Sequence, residues 1–284
     1  MVPSNSSNPQ QSRWLSFAGQ TIEIIYDAPE AQAIIEFLYR HVPADPQIPP
    51  HVQYTLHYDA PRFEFYLADD LLYQGDNRAT LAGVMLGNMG YHLADKNDGG
   101  LFFHSAGLSW KGRGVLLPGA SGAGKTTLTA WLVARGFQYL SDEFIFLTPN
   151  SHVMHSFTRP LNLKLPSRPV LESVLDYETH ADQILTDSHA DLVPPALLGC
   201  PKPGGTPPLK LILFPIYDAQ AEQLSWQEQS KAQTGLRLMQ TIINARNLPQ
   251  HGFSQATWLA KTVPAIKLCY NSFDQLGDQI EQYL

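Results

Sequence analysis

From Trp14 onward the apolar positions recur with period two, most clearly in Thr21 to Tyr26, where Ile22, Ile24 and Tyr26 share one side of a predicted strand. The period then lengthens. Residues 28–40 predict a helix opened by Pro29 and ended near Pro43, because proline fits the first helical turn and stops a helix that reaches it later. Pro43 to Pro50 holds four prolines and predicts a loop. Val52 to Tyr58 and Phe63 to Leu67 alternate again and are rich in aromatic residues, which predicts two antiparallel strands joined around Ala60 and Pro61. Leu81, Val84, Met85, Met89 and Leu93 fall at helical spacing over 79–94, although each glycine inside that stretch weakens a helix by roughly 1 kcal/mol against alanine. The turn-forming run Asn97 to Gly100 marks the expected boundary between an N-terminal α+β domain, 13–98, and a second domain, 99–284. Residues 1–12, polar and without apolar periodicity, are expected to be a disordered tail.

The second part alternates strand-like and helix-like segments, the pattern of an α/β fold. Leu101 to Leu108 predicts a strand, a turn follows at Lys111 to Gly114, and Gly114 to Pro118 predicts a short buried strand. Residues 126–135 predict a helix closed by Gly136, and 137–147 a strand interrupted by Asp142 and Glu143. The proline-rich stretch 166–208 shows little periodicity outside 170–175. Compact domains seldom leave so long a segment without structure, so it is expected to be mostly loop and a lid, mobile until nucleotide and acceptor bind. Leu209 to Pro215 resumes strand character, and 234–246 and 274–284 predict helices.

Composition narrows the classes. A chain of 284 residues exceeds the usual single domain. Its net charge of -7 and the absence of any Lys/Arg cluster argue against a nucleic-acid partner held by bulk electrostatics. Two cysteines, Cys200 and Cys269, make neither a disulfide framework nor metal-ligand spacing. The first residues resemble neither a signal peptide nor an anchor, and no apolar run reaches the roughly 18 residues of a membrane span. The expectation is a cytoplasmic protein with no membrane partner; the sequence leaves open whether it forms a homo-oligomer.

Chemistry enters with Gly119, Ala120, Ser121, Gly122, Ala123, Gly124, Lys125 and Thr126, which match the phosphate-loop pattern G-x-x-x-x-G-K-[ST] between a predicted strand and a predicted helix. Glycines let backbone N–H groups turn onto phosphate oxygens, and the helix N-terminus adds donors and partial positive charge. Lys125 supplies a full cation, and the Thr126 hydroxyl suits Mg²⁺. Together with Thr127 these residues are the expected contacts for ATP or GTP. Asp142 and Glu143 follow Lys125 by 17 and 18 residues, which places them on the next strand. Adjacent carboxylates beside a nucleotide can divide two tasks, one holding the metal and one accepting the proton of an attacking hydroxyl.

The run from His104 through the loop to Arg135, Gly136 and the Asp142–Glu143 pair resembles the catalytic domain of HPr kinase/phosphorylase, and most of all its diverged HPr-kinase-related bacterial group. In that family a histidine precedes the loop strand, an Arg-Gly ends the helix and an acidic pair follows. The resemblance implies a P-loop kinase domain with a mixed sheet of the HPr kinase and phosphoenolpyruvate carboxykinase type. It also implies an ATP- and Mg²⁺-dependent phosphotransferase acting on a Ser/Thr hydroxyl of a protein or peptide. By the same resemblance Asp142 is the base, Glu143 and Thr126 hold Mg²⁺, His104 lies near the phosphates, and Arg159 reaches the transferred phosphoryl group, with Lys164 nearby. Read as residues alone, His104 also fits a strand histidine satisfied by backbone, and Arg159 a surface arginine before Pro160. The family's glycine-rich signature beyond the acidic pair and its later Gly-Arg-Asn segment are missing, which points to an acceptor other than HPr. Two other functions fit the same motifs: a nucleotide-hydrolysing switch without acceptor, and a small-molecule kinase.

Overall fold

The computed structural model describes residues 10–273, 276 and 279–284. It is a mixed α/β protein whose chain divides into two compact units, 1–93 and 94–284. The expected tail at 1–9 lies outside the described residues, while Gln11 and Ser12 are not a tail: they open a strand, because pairing with Tyr26 and Ile25 supplies the order their own composition lacks.

In the first unit, β1 (Gln11–Phe17) and β2 (Gln20–Tyr26) form a hairpin, α1 (Pro29–Tyr39) crosses over, and β3 (Val52–Asp59) pairs parallel to β2. Then β4 (Arg62–Leu67) and β5 (Asp70–Gly75) extend the sheet antiparallel, and α2 (Arg78–Asp95) follows. The period-2 residues Ile22, Ile24, Tyr54, Leu56, Phe63 and Phe65 are all buried, as are Ile34, Leu38, Leu81, Met85 and Met89 of the helices. Strand β5, whose apolar residues do not alternate, has no counterpart in the expectations from sequence.

The second unit is built on β6 (Leu101–Trp110), β7 (Arg113–Pro118), α3 (Lys125–Ala134), β8 (Gln138–Ser141), β9 (Phe144–Leu147) and β10 (Met154–Ser156). It continues with β11 (Leu161–Lys164), α4 (Arg168–Leu171), β12 (Leu185–Thr186), β13 (Ala190–Val193), β14 (Leu209–Tyr217), β15 (Ser225–Glu228), α5 (Lys231–Met239), α6 (Phe253–Thr262) and β16 (Ala265–Tyr270). The main sheet runs β10-β9-β6-β7-β14-β16-β15, with β8 also on β6; β7, β14 and β16 are mutually parallel in that order. Both faces are covered, which is why these strands read as continuous apolar runs. Val115, Leu117, Leu211 and Leu213 pack with Leu128 and Leu132 of α3, while Leu116, Ile212 and Phe214 pack with Leu238 of α5 and Leu259 of α6.

The stretch 166–208 corrects an expectation. It is not a lid waiting for a core, since Leu171, Leu175, Ile184, Val193 and Leu198 are buried in the cluster formed on α3, and Leu192 is buried as well. A three-stranded sheet β11-β13-β12 fixes its middle. Arg168 clamps it further by donating from Nε and Nη2 to both oxygens of the fully buried Asp191, at 2.7 and 2.6 Å, and Thr186 adds a third donor. These apolar residues lie in elements of four residues or in the turns between them, too short to show a period. The C-terminal helix expected over 274–284 lies partly outside the described residues; Gln279–Tyr283 forms a 3-10 turn. Among the described residues no helix is long and apolar enough to cross a membrane.

Candidate functional site

The loop 119–124 connects β7 to α3 at the end of the parallel strands where ligands of α/β sheets gather. Gly122 and Gly124 both sit at φ 86°, the left-handed region that side chains disfavour, so the loop needs glycine at these two points. Lys125 opens α3 and curls back, its Nζ donating to Gly119 O at 2.7 Å and Ala120 O at 3.0 Å. Burial lowers the Lys125 pKa; the carboxylates of Glu143 and Asp142 oppose that shift and the Lys164 charge adds to it. Its ammonium therefore lies desolvated, where an anion brought close would interact strongly.

The acidic pair stands where the strand breaks. Ser141 ends β8, donates its hydroxyl to Phe157 O and accepts from the N–H groups of Glu143 and Phe144, which turns both acids out of the ladder before β9 resumes. The Asp142 side chain is 1% exposed. Its Oδ1 accepts from the Tyr139 hydroxyl at 3.1 Å and lies 3.3 Å from Arg159 Nη2, and its Oδ2 accepts the Asn162 N–H at 2.9 Å. Burial and the neighbouring Asp142 charge push the Tyr139 phenol well above its ordinary pKa, so it stays a donor. The Glu143 side chain is 33% exposed and offers Oε2 to Arg159 Nη2 at 2.7 Å and Oε1 to His104 Nε2 at 3.4 Å.

A pocket of about 490 Å³ brings most of these groups together. His104, Ser121, Gly122, Gly124, Lys125, Thr126, Thr127, Asp142 and Glu143 line it, with Asn162 and Lys164 of β11. Lys164 Nζ lies 3.5 Å from Ser121 Oγ. Arg159 is placed differently from the sequence expectation: it is buried beneath the two acids, pairs with both and does not line the pocket. His104 is partly exposed and faces Glu143 rather than the core. Pro166, Ser167 and Val170 of the lining come from the stretch expected to face the ligand, whereas Tyr217, Tyr270 and Phe273, at or just beyond the ends of β14 and β16, were missed from sequence. A signal existed for Tyr217 and Tyr270, which follow apolar runs readable as strands. Which strands would neighbour β7 was not readable.

Among the described residues no group of three or more His, Cys, Asp and Glu side chains is arranged to hold a metal by itself. The donors at hand are the Thr126 hydroxyl and the Glu143 carboxylate, oxygen ligands of the kind Mg²⁺ takes when phosphate oxygens and water complete its shell.

No family model matches the chain, and no curated protein matches it. Among solved structures, the HPr(Ser) kinase/phosphatase from Coxiella burnetii is similar at 12% identity with a TM-score of 0.33, over 64% of this chain and 86% of that one.

Proposed function

We propose that the second unit is an ATP-dependent, Mg²⁺-dependent phosphotransferase of the HPr-kinase-like type that phosphorylates a Ser/Thr hydroxyl of a protein or peptide. The observation that carries this reading is one pocket lined by both a desolvated lysine in a glycine loop and an oriented pair of carboxylates. Phosphoryl transfer asks for little else: positioned charge around the phosphates and an acceptor for the hydroxyl proton.

In this mechanism the loop N–H groups and Lys125 hold the β- and γ-phosphates, Lys125 exchanging the carbonyls of Gly119 and Ala120 for phosphate oxygens. Thr126 and Glu143 would hold Mg²⁺, which would supply neutralisation of phosphate charge. The acceptor hydroxyl enters from the open side and hydrogen-bonds to Asp142, whose Oδ2 accepts one N–H and keeps a lone pair for it. As the acceptor oxygen bonds to the γ-phosphorus and the bond to the β-phosphate oxygen breaks, the proton passes to Asp142 and ADP leaves with the electron pair. Arg159 acts as a positioning residue, joining the two acids from beneath, and His104 links Glu143 to the pocket. The departures from HPr kinase in sequence favour a different acceptor protein.

The test is incubation with γ-labelled ATP, Mg²⁺ and extract of the source cells. A labelled protein or peptide that disappears with Asp142→Asn supports the reading. Label released only as inorganic phosphate shows a hydrolysing switch, and a labelled metabolite shows a small-molecule kinase.

A further inference from the structure

The pocket continues past the phosphate loop to an aromatic wall that the transfer chemistry does not use. Strands β14 and β16 run parallel to β7, so their C-terminal residues, Tyr217 and Tyr270, arrive on the same rim as the loop. Both are tied to it. The Tyr217 N–H donates to Ala123 O at 3.2 Å, and the Tyr270 hydroxyl donates to Gly124 O at 3.3 Å. Gly124 permits this approach, because a Cβ there would stand 3.1 Å from Tyr217 Cβ and 2.5 Å from the Tyr270 hydroxyl oxygen. Tyr270 is buried and stacks on Phe273, with centroids 5.6 Å apart, and Phe273 stacks in turn on Trp131 of α3. Tyr217 rests edge-on against Tyr270 at 5.8 Å and is the outermost ring of this stack, 48% exposed. Val170, 46% exposed, lines the same pocket from α4.

We propose that Tyr217 is the platform on which the base of the bound nucleotide stacks. This rests on the nucleotide reading above and extends it to the part of the ligand that the loop does not hold. Once the phosphates lie on the loop, ribose carries the base only a short distance beyond them. In open α/β sheets that region is the C-terminal end of the strands neighbouring the loop strand. A half-exposed ring hydrogen-bonded through its own backbone to the loop meets a base with little loss of entropy, since its position is already set. The rings behind it keep its inner edge dry. Every base has a π-face, so the platform accepts adenine and guanine alike.

Calorimetric titration with ATP and with inorganic tripolyphosphate, both with Mg²⁺, separates base from phosphate. Wild type is expected to bind ATP at least about tenfold more tightly than tripolyphosphate. Tyr217→Ala should lose about tenfold or more in ATP affinity and nothing for tripolyphosphate, while Tyr217→Trp should retain ATP affinity. Undiminished ATP affinity in Tyr217→Ala, or an equal loss for both ligands, overturns the platform while leaving the phosphate loop standing. Failure of wild type to bind either ligand overturns the nucleotide reading itself and the platform with it.

Discussion

Asp142 is assigned two jobs, structural and chemical, and substitution can separate them. In Asp142→Asn the amide keeps the shape but can no longer accept at both ends. If its oxygen faces Tyr139 and Arg159, its NH₂ meets the N–H of Asn162, donor against donor; the flipped amide meets Tyr139 and Arg159 instead. Either way a buried donor goes unpaired at about 1–3 kcal/mol. Arg159 also loses a carboxylate at 3.3 Å but keeps Glu143 at 2.7 Å, which holds the added loss to about 1 kcal/mol. The sum, about 2–4 kcal/mol, should lower the melting temperature of the unit 94–284 by about 5–15 °C. Phosphoryl transfer, measured well below that temperature with ATP binding verified by calorimetry, should fall about 10²- to 10⁴-fold because the proton has no acceptor. Tyr139→Phe is the control. It removes one donor from Oδ1, leaves Arg159 beside it and the carboxylate charged, and should cost about 1 kcal/mol while leaving transfer within about tenfold of wild type. Full transfer by a folded Asp142→Asn protein would refute the base assignment, and an unchanged melting temperature would refute the burial argument.

Binding of ATP should take up protons as the pH nears the ordinary lysine value of 10.5 from below: burial lowers the Lys125 pKa, and phosphate charge beside it raises it again. Calorimetry in buffers of differing ionisation enthalpy reads the uptake, which should vanish in Lys125→Ala along with about 10- to 100-fold in affinity; proton release or no proton change in wild type contradicts it. Gly124→Ala should abolish nucleotide binding, since φ 86° and the contact with the Tyr270 hydroxyl both oppose a Cβ, and a titration at wild-type affinity would show that the loop tolerates rearrangement. Arg168→Met strands the buried Asp191 carboxylate on Thr186 and should cost about 3 kcal/mol. Hydrogen exchange over 185–193 should be slow in wild type without ligand and accelerate in the variant; fast exchange in wild type would restore the lid.

The parts of this protein legible in its sequence are those whose cause is local. Strand β7, the glycine loop and α3 announce themselves because the turn needs left-handed glycines at 122 and 124 and the flanking periods are long enough to see. The break at Asp142 and Glu143 was visible for the same reason, two acids inside an apolar run. What escaped was set by distant partners. Nothing near Arg159 in the chain reveals that its guanidinium is buried under residues 142 and 143, because that pairing exists only once Phe157, Thr158 and Asn162 hydrogen-bond to residues 140–144. Residues 166–208 read as loop because their apolar residues are scattered over short elements and the turns between them, and periodicity needs a run. Tyr217 and Tyr270 became part of the pocket through strand order, since only the parallel arrangement β7-β14-β16 turns their ends toward the loop. Local sequence thus supplied the glycine-loop end of the pocket, while topology supplied the groups that orient the acids and the rings at the strand ends. Asp142 and Glu143 line that pocket from the break between β8 and β9, so under the proposed reading the search for an acceptor begins beside these two carboxylates.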